Sequence, residues 1–220
     1  MLCLEIAALA GTHLTAIIGP LFYPLSFVSS RPYLAYTGYA TIAEIPRIGL
    51  YLFVMFASGD PLSRFGLRKI NLTRDLQWFV VASVAVAFLY WGCYTVYPDR
   101  WAVLTKPWDS YLTLAPVWLL ASHMLLVGIA EELFYRGYLI TRLEELSGST
   151  WLAVLVQALF FGSVHSYEGF TGMVVTALFG TIMGIAFTQA RSIWPLVLAH
   201  GGLDFVLEYI RLQHAVPGMH

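Results

Sequence analysis

Charge is what this chain has least of. Asp, Glu, Lys and Arg make up 11% of its 220 residues, against roughly 25% in an ordinary globular protein. The net charge of −1 gives no electrostatic reason to expect a nucleic-acid partner. Cysteine is nearly absent too. Cys3 and Cys93 are the only two, which makes a disulfide framework implausible, and no CxxC pair suggests a thiolate metal site. HExxH and GxSxG are both missing, which disfavours zincin and serine-hydrolase chemistry. No segment of 20–50 residues repeats, and no basic or Ser/Pro-rich tail suggests a separate soluble domain. Met1-Leu2-Cys3-Leu4-Glu5 lacks the positive n-region of a signal peptide, and the apolar run behind it is too long for an h-region. A first membrane span is expected there instead.

What is present is apolar surface. Hydrophobic residues reach 59%, aromatic residues 15%, and mean hydropathy is +0.71. These values point to an all-α, polytopic membrane protein, because lipid-facing helix surfaces must be apolar and backbone polar groups must be satisfied internally. A single integral-membrane domain over 1–220 is expected, with N-terminal helices in 1–113 and motif-bearing helices in 114–211. About 20 apolar residues cross the hydrocarbon core. On that measure spans fall at 4–28, 35–58, 76–97, 114–146, 150–165, 170–189 and 193–211. The total is seven, or eight with one further helix, around an intramembrane polar cavity. The fourth is about 50 Å long at 1.5 Å per residue, so it should protrude or tilt.

The first span contains His13, which reads as hydrogen-bonded packing, and Pro20. In the second, Glu44 and Arg47 are three apart and share a helical face, with Pro46 between them to loosen the helix. They read as an internal ion pair, with a substrate-cavity role as the alternative. Residues 59–75 carry Arg64, Arg68, Lys69 and Arg74, and this basic loop is placed in the cytoplasm. Seven spans then leave the N-terminus inside and the C-terminus outside. Arg142 and Arg191 fall on the cytoplasmic side, while Arg31, Arg100 and Lys106 fall outside. Tyr97, Trp101, Trp108 and Tyr111 in the loop at 98–112 suggest an interfacial aromatic belt.

The late spans hold ionisable groups that lipid does not tolerate without cause, since a charge at mid-membrane costs roughly 2.5–3.5 kcal/mol on insertion scales. They are Glu131, Glu132 and Arg136 in the fourth span, Phe161 to His165 in the fifth, and His200 to Asp204 in the seventh. Glu132/Arg136, Phe161/His165 and His200/Asp204 are each four apart, so each pair shares a face. Glu131 and His165 both lie 17 residues from Gly148. A hairpin turning there brings them to the same depth. Gly128, Gly137, Gly162, Gly180, Gly184, Gly201 and Gly202 permit close helix approach in lipid. Glu132 is the natural ion-pair partner of Arg136. Glu131, rotated about 100° away, is free to act as a general base for water, with His165 sharing that water. His200 and Asp204 then face a developing oxyanion. The reaction class these residues support is water-mediated acyl transfer, meaning amide hydrolysis, beside the structural reading of each pair as a satisfied ion pair or hydrogen bond.

Glu131-Glu132-Leu133-Phe134-Tyr135-Arg136 matches an EExxxR motif. Phe161-Gly162-Ser163-Val164-His165 matches FxxxH, and His200-Gly201-Gly202-Leu203-Asp204 matches HxxxN/D. In order and spacing, residues 115–211 resemble the CPBP family of CAAX prenyl-protease-like and bacteriocin-processing intramembrane proteases. The resemblance implies an intramembrane endopeptidase whose cavity opens to the membrane and, in the eukaryotic CAAX proteases, to the cytosol. Its substrate would be a peptide or a lipidated protein. Glu131 and His165 would activate water, His200 and Asp204 would form the oxyanion hole, and Glu132, Arg136 and Phe161 would support the site. Position 204 departs from the more familiar Asn, and an ionised Asp would repel an oxyanion.

No cofactor is expected. Zinc held by Glu131, His165 and His200 is the alternative, following an older view of the family as metalloproteases. Other classes remain open: a non-catalytic membrane scaffold or bacteriocin-immunity protein of the same fold, and a transporter with a proton-relaying carboxylate. The compact, loop-poor chain reads like a multi-pass protein of a prokaryotic cell membrane.

Overall fold

The computed structural model describes residues 33–96 and 116–215, together with Ile6 and Leu9. His13 and Pro20, the rest of the expected first span, and the aromatic loop with Tyr97, Trp101, Trp108 and Tyr111 lie outside the described residues. Six helices make up the described chain, and no strand occurs among those residues. They are α1 (Tyr33–Ala57), α2 (Leu72–Val96), α3 (Val117–Ser147), α4 (Thr150–Val164), α5 (Gly169–Ala190) and α6 (Trp194–Ala215). Short 3-10 turns at Leu62–Phe65 and Ser166–Glu168 join α1 to α2 and α4 to α5.

Four stretches are long and apolar enough to cross a membrane: Ala40–Ala57, Leu72–Val96, Val117–Ser147 and Ser166–Ala190. The expected seven or eight spans are therefore not met among the described residues. The 15 residues of α4 reach about 22 Å, short of a core about 30 Å thick. Helix α6 carries Asp204, Glu208 and Arg211, too many charges for an apolar span. Both lean on the longer helices: α4 packs along α5, while α6 packs against α3 and α2.

Local chemistry sets the turns. Pro116 precedes α3, a position where its missing N–H costs nothing. Gly148 ends α3 in the left-handed region, φ 66°, and its N–H returns to the Glu144 carbonyl. Ser149 then caps α4 by accepting from the Leu152 N–H, so α3 and α4 form the expected hairpin. Arg191 ends α5 with φ 48°, a left-handed conformation that is unusual for a side chain larger than glycine. Its guanidinium makes a two-pronged ion pair with Glu144, at 2.8 and 3.0 Å.

That pair belongs to a polar belt at one end of the bundle. Arg142 bridges Asp60 at 2.8 Å and Glu145 at 2.9 Å, and Arg64 bridges Asp60 and Glu145. Arg68 pairs with Asp75, and the Trp194 indole donates to the Arg68 carbonyl. The basic loop, the α3–α4 turn and the α5–α6 turn thus share one face. Helix α3 protrudes into this belt with its last residues, as its length requires.

Close approaches depend on missing side chains. A Cβ on Gly201 would stand 2.9 Å from the Met124 carbonyl, and one on Gly128 would stand 3.1 Å from the Gly201 nitrogen, so α3 and α6 meet backbone to backbone. Gly202, expected to act likewise, has nothing within 4 Å of such an atom.

Candidate active site

From Glu132 to Ile140 the long helix α3 is wound as a π-helix, and all nine residues are buried. Such wider turns are rare and recur at functional sites. Gly137 sits inside this segment. A Cβ there would stand 2.7 Å from the Phe65 carbonyl, so the polar loop's 3-10 turn presses directly on the π-turns.

Glu132 and Arg136 are both fully buried and paired, Oε1 to Nη1 at 2.8 Å. The same Oε1 accepts from His200 Nδ1 at 2.7 Å. Glu132 is therefore more than a partner for Arg136, because it also fixes the His200 ring from an adjacent helix. The Arg136 guanidinium lies 4.7 Å from the centre of the Phe161 ring, and Phe179 and Tyr135 flank it at 5.7 and 5.9 Å. Among the described residues its Nε and Nη2 have no hydrogen-bond partner, and ring faces take that place. Phe161 is the hub of this box. It makes an edge contact with Tyr135, stacks on Phe179 and touches the rings of both His165 and His200.

With Nδ1 turned to Glu132, His200 presents Nε2 to two more carboxylates. Glu131 Oε2 is 3.6 Å away and Asp204 Oδ2 is 3.5 Å away. His165 ends α4, and its Nδ1 lies 2.8 Å from the Phe161 carbonyl. A carbonyl can only accept, so Nδ1 carries the hydrogen and Nε2 of the neutral ring holds the free lone pair. The four-residue spacing of FxxxH is thus a ring-orienting device as well as a shared face.

Glu131, His165, His200 and Asp204 line one cavity of about 230 Å³, together with Phe161 and Phe179. All four candidate chemical residues meet there. Among the described residues, no group of three His, Cys, Asp or Glu side chains is arranged to hold a metal ion. The alternative zinc set of Glu131, His165 and His200 shares a cavity without ligand geometry. Glu44 and Arg47 form their ion pair on α1, and neither lines the cavity.

Residues 113–206 match the family model described as type II CAAX prenyl endopeptidase, Rce1-like. This segment resembles that family over less than half of the chain. It holds all three motifs and the whole of the cluster just described, while α1 and α2 lie outside it. The Rce1-like match and the four apolar helices describe an integral membrane protein and support an intramembrane endopeptidase in general. No curated protein and no solved structure matches the chain.

Sequence reasoning missed several cavity residues: Tyr90, Tyr167, Glu168, Thr176, Phe179 and Glu208. Glu168 and Glu208 had a signal, since each is an acid inside an apolar region. Phe179 had none, being one of 14 phenylalanines, and only the packing of α5 under Arg136 sets it apart.

Proposed function

We propose that this protein hydrolyses a peptide bond within a prokaryotic cell membrane, using water activated by Glu131 and His165 and no metal. The observation that carries the reading is the single cavity in which a glutamate and a histidine with a free Nε2 share the wall with His200 and Asp204. In the proposed reaction Glu131 takes a proton as the water oxygen bonds to the carbonyl carbon. His165 Nε2 accepts the water's other hydrogen in a hydrogen bond and holds its direction. The carbonyl oxygen becomes an oxyanion facing His200. Because Nδ1 already donates to Glu132, an Nε2–H can be offered only by the doubly protonated ring. Carboxylates at positions 131, 132 and 204 balance that imidazolium. The proton held by Glu131 then passes to the leaving nitrogen as the C–N bond breaks.

Replacing Glu131 by Gln removes the base while keeping its shape. Loss of general-base catalysis costs about 10²–10⁴-fold in rate. The expected result is a folded E131Q protein with cleavage reduced by that factor, measured by mass spectrometry on peptides in proteoliposomes. Undiminished cleavage by E131Q overturns the glutamate assignment. If the wild-type cleaves nothing and E131Q keeps full biological activity, the protein is a non-catalytic partner. Hydrolysis is expected to persist in excess chelator, and loss restored by zinc alone would establish the metal reading.

A further inference from the structure

On each helix that lines it, the cavity lies away from the end set in the polar belt. On α3 the lining runs from Glu131 back to Met124, 11 to 18 residues before Arg142 in the polar belt. On α6, which starts beside the belt where Trp194 bonds the Arg68 carbonyl, the lining steps outward through His200, Asp204, Glu208 and Arg211. Tyr90 lies late in α2, and Thr176 lies in the half of α5 remote from Arg191. These four helices agree in direction. On the belt side of the cavity the described residues pack closely, with Phe134, Tyr135, Arg136, Tyr138 and Phe187 all at most 1% exposed.

The belt contains Arg64, Arg68, Lys69, Arg74, Arg142 and Arg191 in short connections or helix ends. Lys and Arg in short loops are held on the cytoplasmic side. The walls at the opposite end are polar and partly open. Tyr167 is 47% exposed, Glu168 accepts from Thr176 at 3.4 Å, and Glu208 is paired with Arg211 at 2.8 Å.

We propose that the site is entered from the non-cytoplasmic side, so its occupant is a peptide segment presented on that face of the membrane. This direction is opposite to the cytosolic opening that the eukaryotic CAAX resemblance implies. That the occupant is a substrate rests on the peptidase reading. The side of entry does not.

The experiment places single cysteines in a chain carrying Cys3→Ser and Cys93→Ser. L207C and Y167C report the cavity wall, and S147C reports the α3–α4 turn within the belt. Intact cells are treated with a membrane-impermeant sulfonated maleimide and compared with permeabilised cells, each variant first shown to be monodisperse in detergent. The expected pattern is labelling of L207C and Y167C in intact cells and of S147C only after permeabilisation. Labelling of S147C in intact cells overturns the proposal. So does a cavity pair that labels only after permeabilisation or not at all. Peptide cleavage in sealed vesicles is scored separately. Expected labelling with no hydrolysis of any peptide leaves the side of entry standing and sinks the peptidase reading.

Discussion

Asp204 is the residue whose chemistry sits least easily with hydrolysis. Its Oδ2 stands 3.5 Å from His200 Nε2, on the side where an oxyanion would form. Two negative charges sharing one N–H donor repel each other, so an ionised Asp204 opposes the transition state. An amide of the same shape removes the charge and adds a donor. D204N is therefore expected to turn over at least as fast as the wild-type at neutral pH, measured as kcat on one peptide in proteoliposomes. A fall of about tenfold or more, equivalent to about 1.4 kcal/mol of lost transition-state stabilisation, would show that the carboxylate itself orients His200. Glu132 is a different case. It bonds Arg136 and His200 through one oxygen while fully buried, so its charge is tied into both the packing of α3 and the direction of the His200 ring. Removing one member of a buried pair leaves the other uncompensated, a loss on the order of 3–5 kcal/mol.

Among the elements, the α3–α6 contact decides whether His200 reaches Glu132. It depends on Gly128 facing Gly201, with a Cβ on Gly201 only 2.9 Å from the Met124 carbonyl and 3.2 Å from the Leu125 Cα. Both are backbone atoms of a packed helix, so relief requires the helices to part. G201A is expected to destabilise the protein by about 1–3 kcal/mol and to lower cleavage with it. G202A, one residue on, meets nothing within 4 Å. Alanine there removes glycine's excess backbone freedom and should be neutral or stabilising by about 0.5–1 kcal/mol. Thermal unfolding of the two variants in detergent checks the contrast, and equal Tm shifts would refute the close crossing. Periodicity cannot make this distinction. Gly201 and Gly202 both follow His200 in the motif, and only the direction in which each Cα faces separates them.

Across the whole molecule, the polar belt is the clamp that holds the α1–α2 loop, the α3–α4 turn and the α5–α6 turn together. Asp60 receives hydrogen bonds from Arg142 and Arg64, and these hold its carboxyl below the usual aspartate value. A depressed carboxyl contributes stability that is complete above its unfolded value and is lost as pH falls through the folded one. With an unfolded value near 3.9, the loss begins below about pH 4. Tm measured in detergent is expected to hold between pH 7 and 5 and to drop towards pH 3. D60N is expected to start lower at pH 7 and to show a smaller acid-side drop. An unchanged acid limb in D60N would remove Asp60 from the clamp.

The sequence by itself determined the helical class and the boundaries of the late helices to within a few residues, and it singled out Glu131, Phe161, His165, His200 and Asp204, which line the cavity. It could do so because each depends on local physics: apolar runs of spanning length, glycine and serine at a turn, and ionisable groups where lipid forbids idle charge. That a hairpin turning at Gly148 would bring Glu131 and His165 towards each other was also legible, and both line the cavity. Only the tertiary structure decided that α4, too short to count as an apolar span, and α6, too charged, are held against longer neighbours. It alone placed the π-turns after Glu131, the Phe179 wall under Arg136, and the idle contact at Gly202. It also joined the two glutamates that sequence logic had kept apart. Glu131 and Glu132 point different ways around α3, yet they meet the two nitrogens of one imidazole, because His200 arrives from another helix and is wide enough to span them.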